Sequence, residues 1–435
     1  MSTATSTEWR NWQVKLPVTN DVQQMNFRTY SLVTGAYWSL TITDGALRMI
    51  VLLHFHELGY GPLELSFLFL AYELMGVITN LFGGWAGAKS GLNQTLKAGL
   101  GIQVIALLAI SFVDPNWSKV LSVIFVMACQ ALSGIAKDLT KMSSKSAVKF
   151  VIPGDVNDQQ QSRLFKWVAI LTGSKNALKG AGFFIGGALL SWLSFRIALI
   201  VMASFVVVPL LLIIVLLKEK IGKSKKTRPR RVWSSTYPSV NRLSVARFFL
   251  FGSRDIWFVV ALPVFLDENL GWSYQGIGGF LAAWVIGYGI IQSGAPSMIN
   301  LSKGPNAAGT LAKSWAAALC ILTGVITILV GNNVARSTTV IAGLLVFGFL
   351  FALNSSLHSF LILAYTADDD DVAVNVGLYY AANAAGRFVG TLLSGLAYLW
   401  GGLTLALVFS TGFLMVNWAL SLSLPSTVAS QLKTH

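Results

Sequence analysis

Long runs of apolar residues, separated by short polar breaks, occupy almost the whole chain. A helical span needs about 20 mainly apolar residues to cross the hydrocarbon core. The runs predict twelve spans, near 30–54, 63–88, 95–113, 117–140, 166–191, 196–217, 245–266, 275–299, 308–330, 338–364, 373–398 and 402–423. Turn-forming residues fill the breaks, as in Gly59-Tyr60-Gly61-Pro62, Asp114-Pro115-Asn116 and Gly331-Asn332-Asn333. Lipid cannot satisfy backbone N–H and C=O groups, so the spans are expected to be helices.

The strongest polar interruption divides the pattern into equal parts. Residues 218–242 are basic and proline-containing, and six predicted spans lie on each side. The expected organisation is an N-terminal tail 1–28, a six-helix bundle 29–217, a linker 218–242, a second six-helix bundle 243–424 and a tail 425–435. The IGKS sequence in the linker is not a P-loop, because Leu217 occupies the position of the first glycine. The halves carry weak internal similarity. Asp44 and Leu58-Gly59-Tyr60-Gly61 in the first are echoed by Asp255 and Leu270-Gly271-Trp272-Ser273 in the second. Asn176-Ala177 with Gly182 and Gly186 is echoed by Asn383-Ala384 with Gly386 and Gly390. The fold class expected is an all-α membrane protein of twelve transmembrane helices in two pseudo-symmetric bundles, with a site near the midplane between them.

Lys and Arg concentrate in alternate breaks: Arg10, Lys15 and Arg28, then Lys89 and Lys97, then Lys145, Lys149, Arg163 and Lys166. By the positive-inside rule both termini are expected in the cytoplasm, with the chain in the cytoplasmic membrane.

Composition supports this reading. The 435 residues are 54% hydrophobic and only 11% charged, too few charges to coat a water-exposed surface of this size. The net charge of +14 would suggest nucleic acid in a soluble protein, but here it lies in short breaks and within spans, so no nucleic-acid partner is expected. Cys129 and Cys320 sit in apolar runs and read as small buried hydrophobes. No cleaved signal peptide is read at the N-terminus. There is no HExxH, metal cluster or serine-nucleophile motif, so neither an enzyme nor a cofactor is expected.

Charges inside spans are costly and usually functional. Asp44 and Arg48, four apart, can pair along one helix face. Glu73 lies deep among apolar neighbours, with Asn80 on roughly the same face. Lys137, Lys141, Lys145 and Lys149 form a row, with Lys137 at the inner edge of the hydrocarbon and the last two expected at a cytoplasmic rim. Lys175 and Lys179 are one turn apart with no compensating charge nearby in sequence. The second half adds Arg254, Asp255, Asn354, His358, Asn383 and Arg387. Arg254 and Asp255 are adjacent and need not pair, His358 reads as a satisfied core residue, and Arg387 suits an oxyanion. The basic surplus points to an anionic small-molecule substrate. Arg48, Lys137, Lys175, Lys179, Arg254, Asn383 and Arg387 are the candidate substrate-binding residues. Asp44, Glu73 and Asp255 are the candidate coupling or gating residues, with protons as a possible coupling ion.

Two six-span halves around a basic linker resemble the major facilitator superfamily. The segment Gly84-Trp85-Ala86-Gly87-Ala88-Lys89-Ser90-Gly91-Leu92-Asn93 is similar to that superfamily's loop motif at Gly84, Lys89 and Gly91. Ala88 replaces the acidic residue and Leu92-Asn93 the basic pair, which puts the usual charge-relay gate in doubt. The stretches ITDGALRMIVLLHFHELGYGPLELSFLFLAYE, ALSGIAKDLTKMSSKSAVK and LTGSKNALKGAGFFIGGALL resemble the arsenate-resistance permeases that export 1-arseno-3-phosphoglycerate. That resemblance implies efflux, with a glyceraldehyde-3-phosphate dehydrogenase as the functional partner that makes the ester. A monomer is expected. Uptake or exchange of another organic anion or sugar phosphate, and a non-transporting membrane sensor, are the competing readings.

Overall fold

In the computed structural model, residues 27–90, 92–149, 158–217, 234–298, 305–365 and 372–425 are described. The tails, the linker up to residue 233 and the acidic run 368–371 lie outside the described residues, as do the side chains of Lys89, Lys145, Lys149, Arg163 and Lys166. The first half contains α1 (Phe27–Glu57), α2 (Pro62–Ser90), α3 (Leu92–Ile110), α4 (Lys119–Lys149), α5 (Asp158–Trp192) and α6 (Phe195–Leu216). The second contains α7 (Pro238–Phe258), α8 (Ala261–Glu268), α9 (Tyr274–Met298), α10 (Pro305–Gly331), α11 (Arg336–Ala364) and α12 (Val372–Leu422).

Twelve helices and twelve spans coincide only in number. The short α8 continues α7 past a break at Val259 and Val260, and the two make one span. Conversely, α12 holds two spans, 372–400 and 403–422, folded about Gly401 and Gly402. Gly402 has φ +63°, a conformation that favours glycine, so no longer polar loop is needed there. The seventh span begins at Pro238, inside the stretch expected to be linker. Proline is suited to the first turn of a helix, where its missing N–H costs nothing, and the following residues Val240 and Leu243 are fully buried.

Glycine seams set the close approaches within each half. On α1, a Cβ at Gly45 would lie 2.5 Å from the Lys179 carbonyl on α5. On α12, a Cβ at Gly390 would lie 2.6 Å from the Gly252 carbonyl on α7, and one at Gly386 would overlap the Phe248 carbonyl. Small residues at such crossings let helix backbones touch, which is how helices associate where lipid removes the hydrophobic drive. The first and fifth helices of each half are therefore joined in the same way.

Between the halves, α2 packs along the first arm of α12, from Pro62 and Ser66 against Gly395 to Asn80 against Gly377. The second junction joins α5 to α9, where Asn176 donates to Gln292 at 2.9 Å. At the end remote from the chain termini, His56 of α1 lies 3.0 Å from Asp267 of α8 and ties the halves together. The outer faces are apolar, with Ile197, Phe205, Val208, Leu211 and Val215 of α6 exposed, as a lipid-facing surface requires.

Candidate functional site

The charged residues within the spans converge between the halves. Glu73 of α2 accepts from Arg48 of α1 at 2.7 Å and from Arg387 of α12 at 2.6 Å, both on Oε1. Arg387 also donates through Nε to Asp255 of α7 at 2.9 Å, and Asp255 accepts from its neighbour Arg254. Lys179 of α5 donates to Asp44 of α1 at 2.8 Å, and the Tyr72 hydroxyl donates to the other Asp44 oxygen. Asp138 of α4 accepts from Lys141 at 2.6 Å and from Thr79 at 2.7 Å, with Lys137 3.9 Å away.

Helix positions explain these partners. The Gly45 seam draws α5 against α1, which puts Lys179 within reach of Asp44. The Gly386 and Gly390 seam draws α12 against α7, which puts Arg387 within reach of Asp255. Each half thus repeats one device, an aspartate on its first helix tied to a base on its fifth. Aromatic rings complete the walls. Lys137 stands 4.1 Å from the centre of the Tyr72 ring, Arg48 lies over Phe69 and Tyr72, and Arg254 lies among Phe251, Phe258 and Phe351. Such rings attract cations and exclude water.

Several expected pairings differ. Asp44 and Arg48 do not bond each other, because closer interhelical partners claim both. Arg254 does bond Asp255, since its long side chain folds back beside the adjacent carboxylate. Lys179 and Arg387, which lack partners nearby in sequence, have them on other helices. His358 is fully buried, but neither ring nitrogen has a hydrogen-bond partner among the described residues, which differs from the satisfied core residue expected. Asn383 is half-buried one turn before Arg387 and makes no hydrogen bond among the described residues. Lys175 is half-buried one turn before Lys179.

The sequence reading passed over Tyr72 and Arg247 and did not place Lys141 in the interior. Lys141 lies one turn from Lys137 and bonds Asn80 at 3.0 Å as well as Asp138. Arg247 is 4% exposed within α7 and falls in the predicted seventh span, 245–266, but was not counted among the charges inside spans.

The accessible face of the network is cationic. Lys137, Lys141, Lys179, Arg254 and Arg387 keep 13–18% of their side chains accessible, whereas Glu73, Asp138 and Asp255 keep 0–1%. Six basic side chains, Arg48 among them, share four carboxylates, so an approaching solute meets positive charge first.

Two six-helix bundles with a charged seam between them are the architecture of a membrane transporter. Residues 33–365 match the Major Facilitator Superfamily, and the chain belongs to that family. The fold is shared with a transporter of the POT family solved with a thioalcohol-conjugated peptide (TM-score 0.74, 13% identity, 95% of this chain and 99% of that one). It is also shared with a bacterial homologue of the iron transporter ferroportin in an inward-facing state (TM-score 0.67, 15% identity, 92% and 99%). The human organic anion transporter MFSD10 gives a TM-score of 0.63 at 16% identity over 91% of this chain and 99% of its own. No curated protein matches the chain in sequence.

Proposed function

We propose that this carrier exports an anionic organophosphate or organoarsenical, 1-arseno-3-phosphoglycerate above all, by alternating access, and thereby confers arsenate resistance. The observation that carries the proposal is the arrangement just described, with cations on the accessible face and their carboxylates buried behind them. A molecule with an oxyanion at each end can engage Lys137 and Lys179 in one half while it engages Arg254 and Arg387 in the other. Arg48, Lys175 and Asn383 extend those two poles. In the empty carrier the buried carboxylates hold the cations in place, and an incoming oxyanion competes for the same donors.

Glu73 is the proposed coupling group. It sits where Arg48 and Arg387 meet, and its second oxygen, Oε2, is buried without a partner among the described residues. Loss of its charge would release both arginines together. Asp44 and Asp255 hold the cations of each half in the same manner and are the proposed gating residues.

The test uses everted membrane vesicles. Arsenate, glyceraldehyde 3-phosphate, NAD and a glyceraldehyde-3-phosphate dehydrogenase outside them generate the ester continuously. Arsenic should accumulate inside only when both the carrier and the dehydrogenase are present, and the double variant Lys179→Ala, Arg387→Ala should abolish accumulation. Accumulation of another sugar phosphate, with none of arsenic, would replace the substrate. Accumulation of neither would sink the export reading.

A further inference from the structure

Arg247 of α7 stands apart from the central network. It is 4% exposed, and its Nη1 donates to the carbonyl and hydroxyl oxygens of Ser355 at 3.0 Å each. Its guanidinium lies 3.9 Å from the centre of the Phe251 ring and 4.9 Å from that of Tyr379. Among the described residues no carboxylate lies within ion-pairing distance of it, and its Nε–H has no acceptor. Arg48, Lys137, Lys141, Lys179, Arg254 and Arg387 all have a carboxylate partner.

On α11, Asn354 and His358 are four residues apart and share a face. Both are fully buried, and among the described residues both amide atoms of Asn354 and both ring nitrogens of His358 are without partners. Ser355, which Arg247 bonds, is next to Asn354 and three residues before His358 on the same helix. Buried polar groups are almost always hydrogen-bonded, and a buried charge is almost always compensated. Here a guanidinium with only neutral partners adjoins a helix face bearing an unpartnered carboxamide and imidazole. Of these unpartnered atoms, the Arg247 Nε–H, the Asn354 amide N–H and one imidazole N–H are donors that an anion would engage.

We propose that Arg247, Asn354 and His358 form a second anion-binding subsite, wholly within the C-terminal half, that takes a phosphate- or arsenate-type oxyanion. It rests on the reading that the transported solute is anionic, and it places one end of that solute about two turns along α7 from Arg254, toward Pro238. Ser355 connects the subsite to the junction between the halves, since Gln292 donates to the Ser355 hydroxyl at 3.5 Å and accepts from Asn176 at 2.9 Å. An anion that draws Arg247 away from Ser355 would therefore loosen one of the bonds behind the α5–α9 junction.

The full chain in lipid nanodiscs tests this by titration with inorganic phosphate, with thermal stability measured in parallel. Arg247→Gln should weaken phosphate binding at least tenfold. Asn354→Leu keeps the side-chain volume and removes two unpartnered atoms, so it should leave the fold as stable as before or more so. Its phosphate affinity should nonetheless fall at least tenfold. Wild-type affinity in Asn354→Leu overturns the subsite even if Arg247→Gln does not fold. No phosphate binding by the unaltered carrier also overturns it. Organic-anion accumulation in the vesicle assay then tells whether the anionic-substrate reading falls as well or only the subsite.

Discussion

Arg387 of the C-terminal half and Glu73 of the N-terminal half meet at 2.6 Å, on the same carboxylate oxygen that Arg48 engages. Because Arg387 also holds Asp255 of its own half, one guanidinium spans the seam that the proposed alternating access would have to part.

Removal of Arg387 should leave Glu73 with Arg48 alone and Asp255 with Arg254 alone. Breaking a buried ion pair by deleting one partner costs about 3–5 kcal/mol. Arg387→Ala should therefore lower the melting temperature of the purified carrier and abolish transport. The double variant Glu73→Gln, Arg387→Gln should recover part of the stability but no transport. Full transport by the double variant would show the bond to be structural only.

Lys179 and Tyr72 both hold Asp44, and they should not matter equally. Tyr72→Phe removes one hydrogen bond to a charged acceptor, worth about 1.5–3 kcal/mol, and keeps the ring beneath Lys137. Lys179→Met removes the compensating charge itself and should be the more destabilising in thermal unfolding. A larger loss in Tyr72→Phe would mean that the hydroxyl, not the ammonium, holds the carboxylate.

The glycine seam between α7 and α12 makes a sharp stability prediction. Gly386→Ala would drive its Cβ into the Phe248 carbonyl, and the helices would have to separate. Gly412→Ala meets nothing within 4 Å and serves as the control. Yield and melting temperature should fall for the first and hold for the second. Equal behaviour of the two variants would remove the seam's structural role.

Closure at the end remote from the termini can be trapped. In a background with Cys129→Ala and Cys320→Ala, the pair His56→Cys and Asp267→Cys should accept a short cleavable bismaleimide, because the native groups lie 3.0 Å apart. Cross-linking should stop transport, and cleavage of the linker should restore it. Undiminished transport by the cross-linked protein would show that this end does not open.

The apolar runs made the helices legible, because the thickness of a bilayer allows few other readings of such lengths. The seam glycines were legible as well. Gly182 with Gly186, and Gly386 with Gly390, recur in both halves of the sequence and pack α5 on α1 and α12 on α7. Side-chain partners were not. Glu73 and Arg387 are 314 residues apart, and no local periodicity links them. Asp44 and Arg48 misled for the converse reason, since a favourable spacing on one helix says nothing of nearer partners on its neighbours. Arg247 stands near the start of its predicted span, and nothing in the sequence around it signals that its partners are the neutral Ser355 and aromatic rings.

The rings of Tyr379 and Tyr380 lie over Arg247 of the second half and Lys141 of the first, at 4.9 and 5.6 Å. Two consecutive residues of one helix thus touch a cation on each side of the dividing surface. If the halves rock apart as the proposed alternating access requires, with α12 moving with its own half, the Arg247 contact should persist while Lys141 loses its ring. The change in electric field falls on the phenol of Tyr380. A spectroscopic label there, such as a fluorinated tyrosine, would report that motion without altering any of the proposed substrate-binding residues.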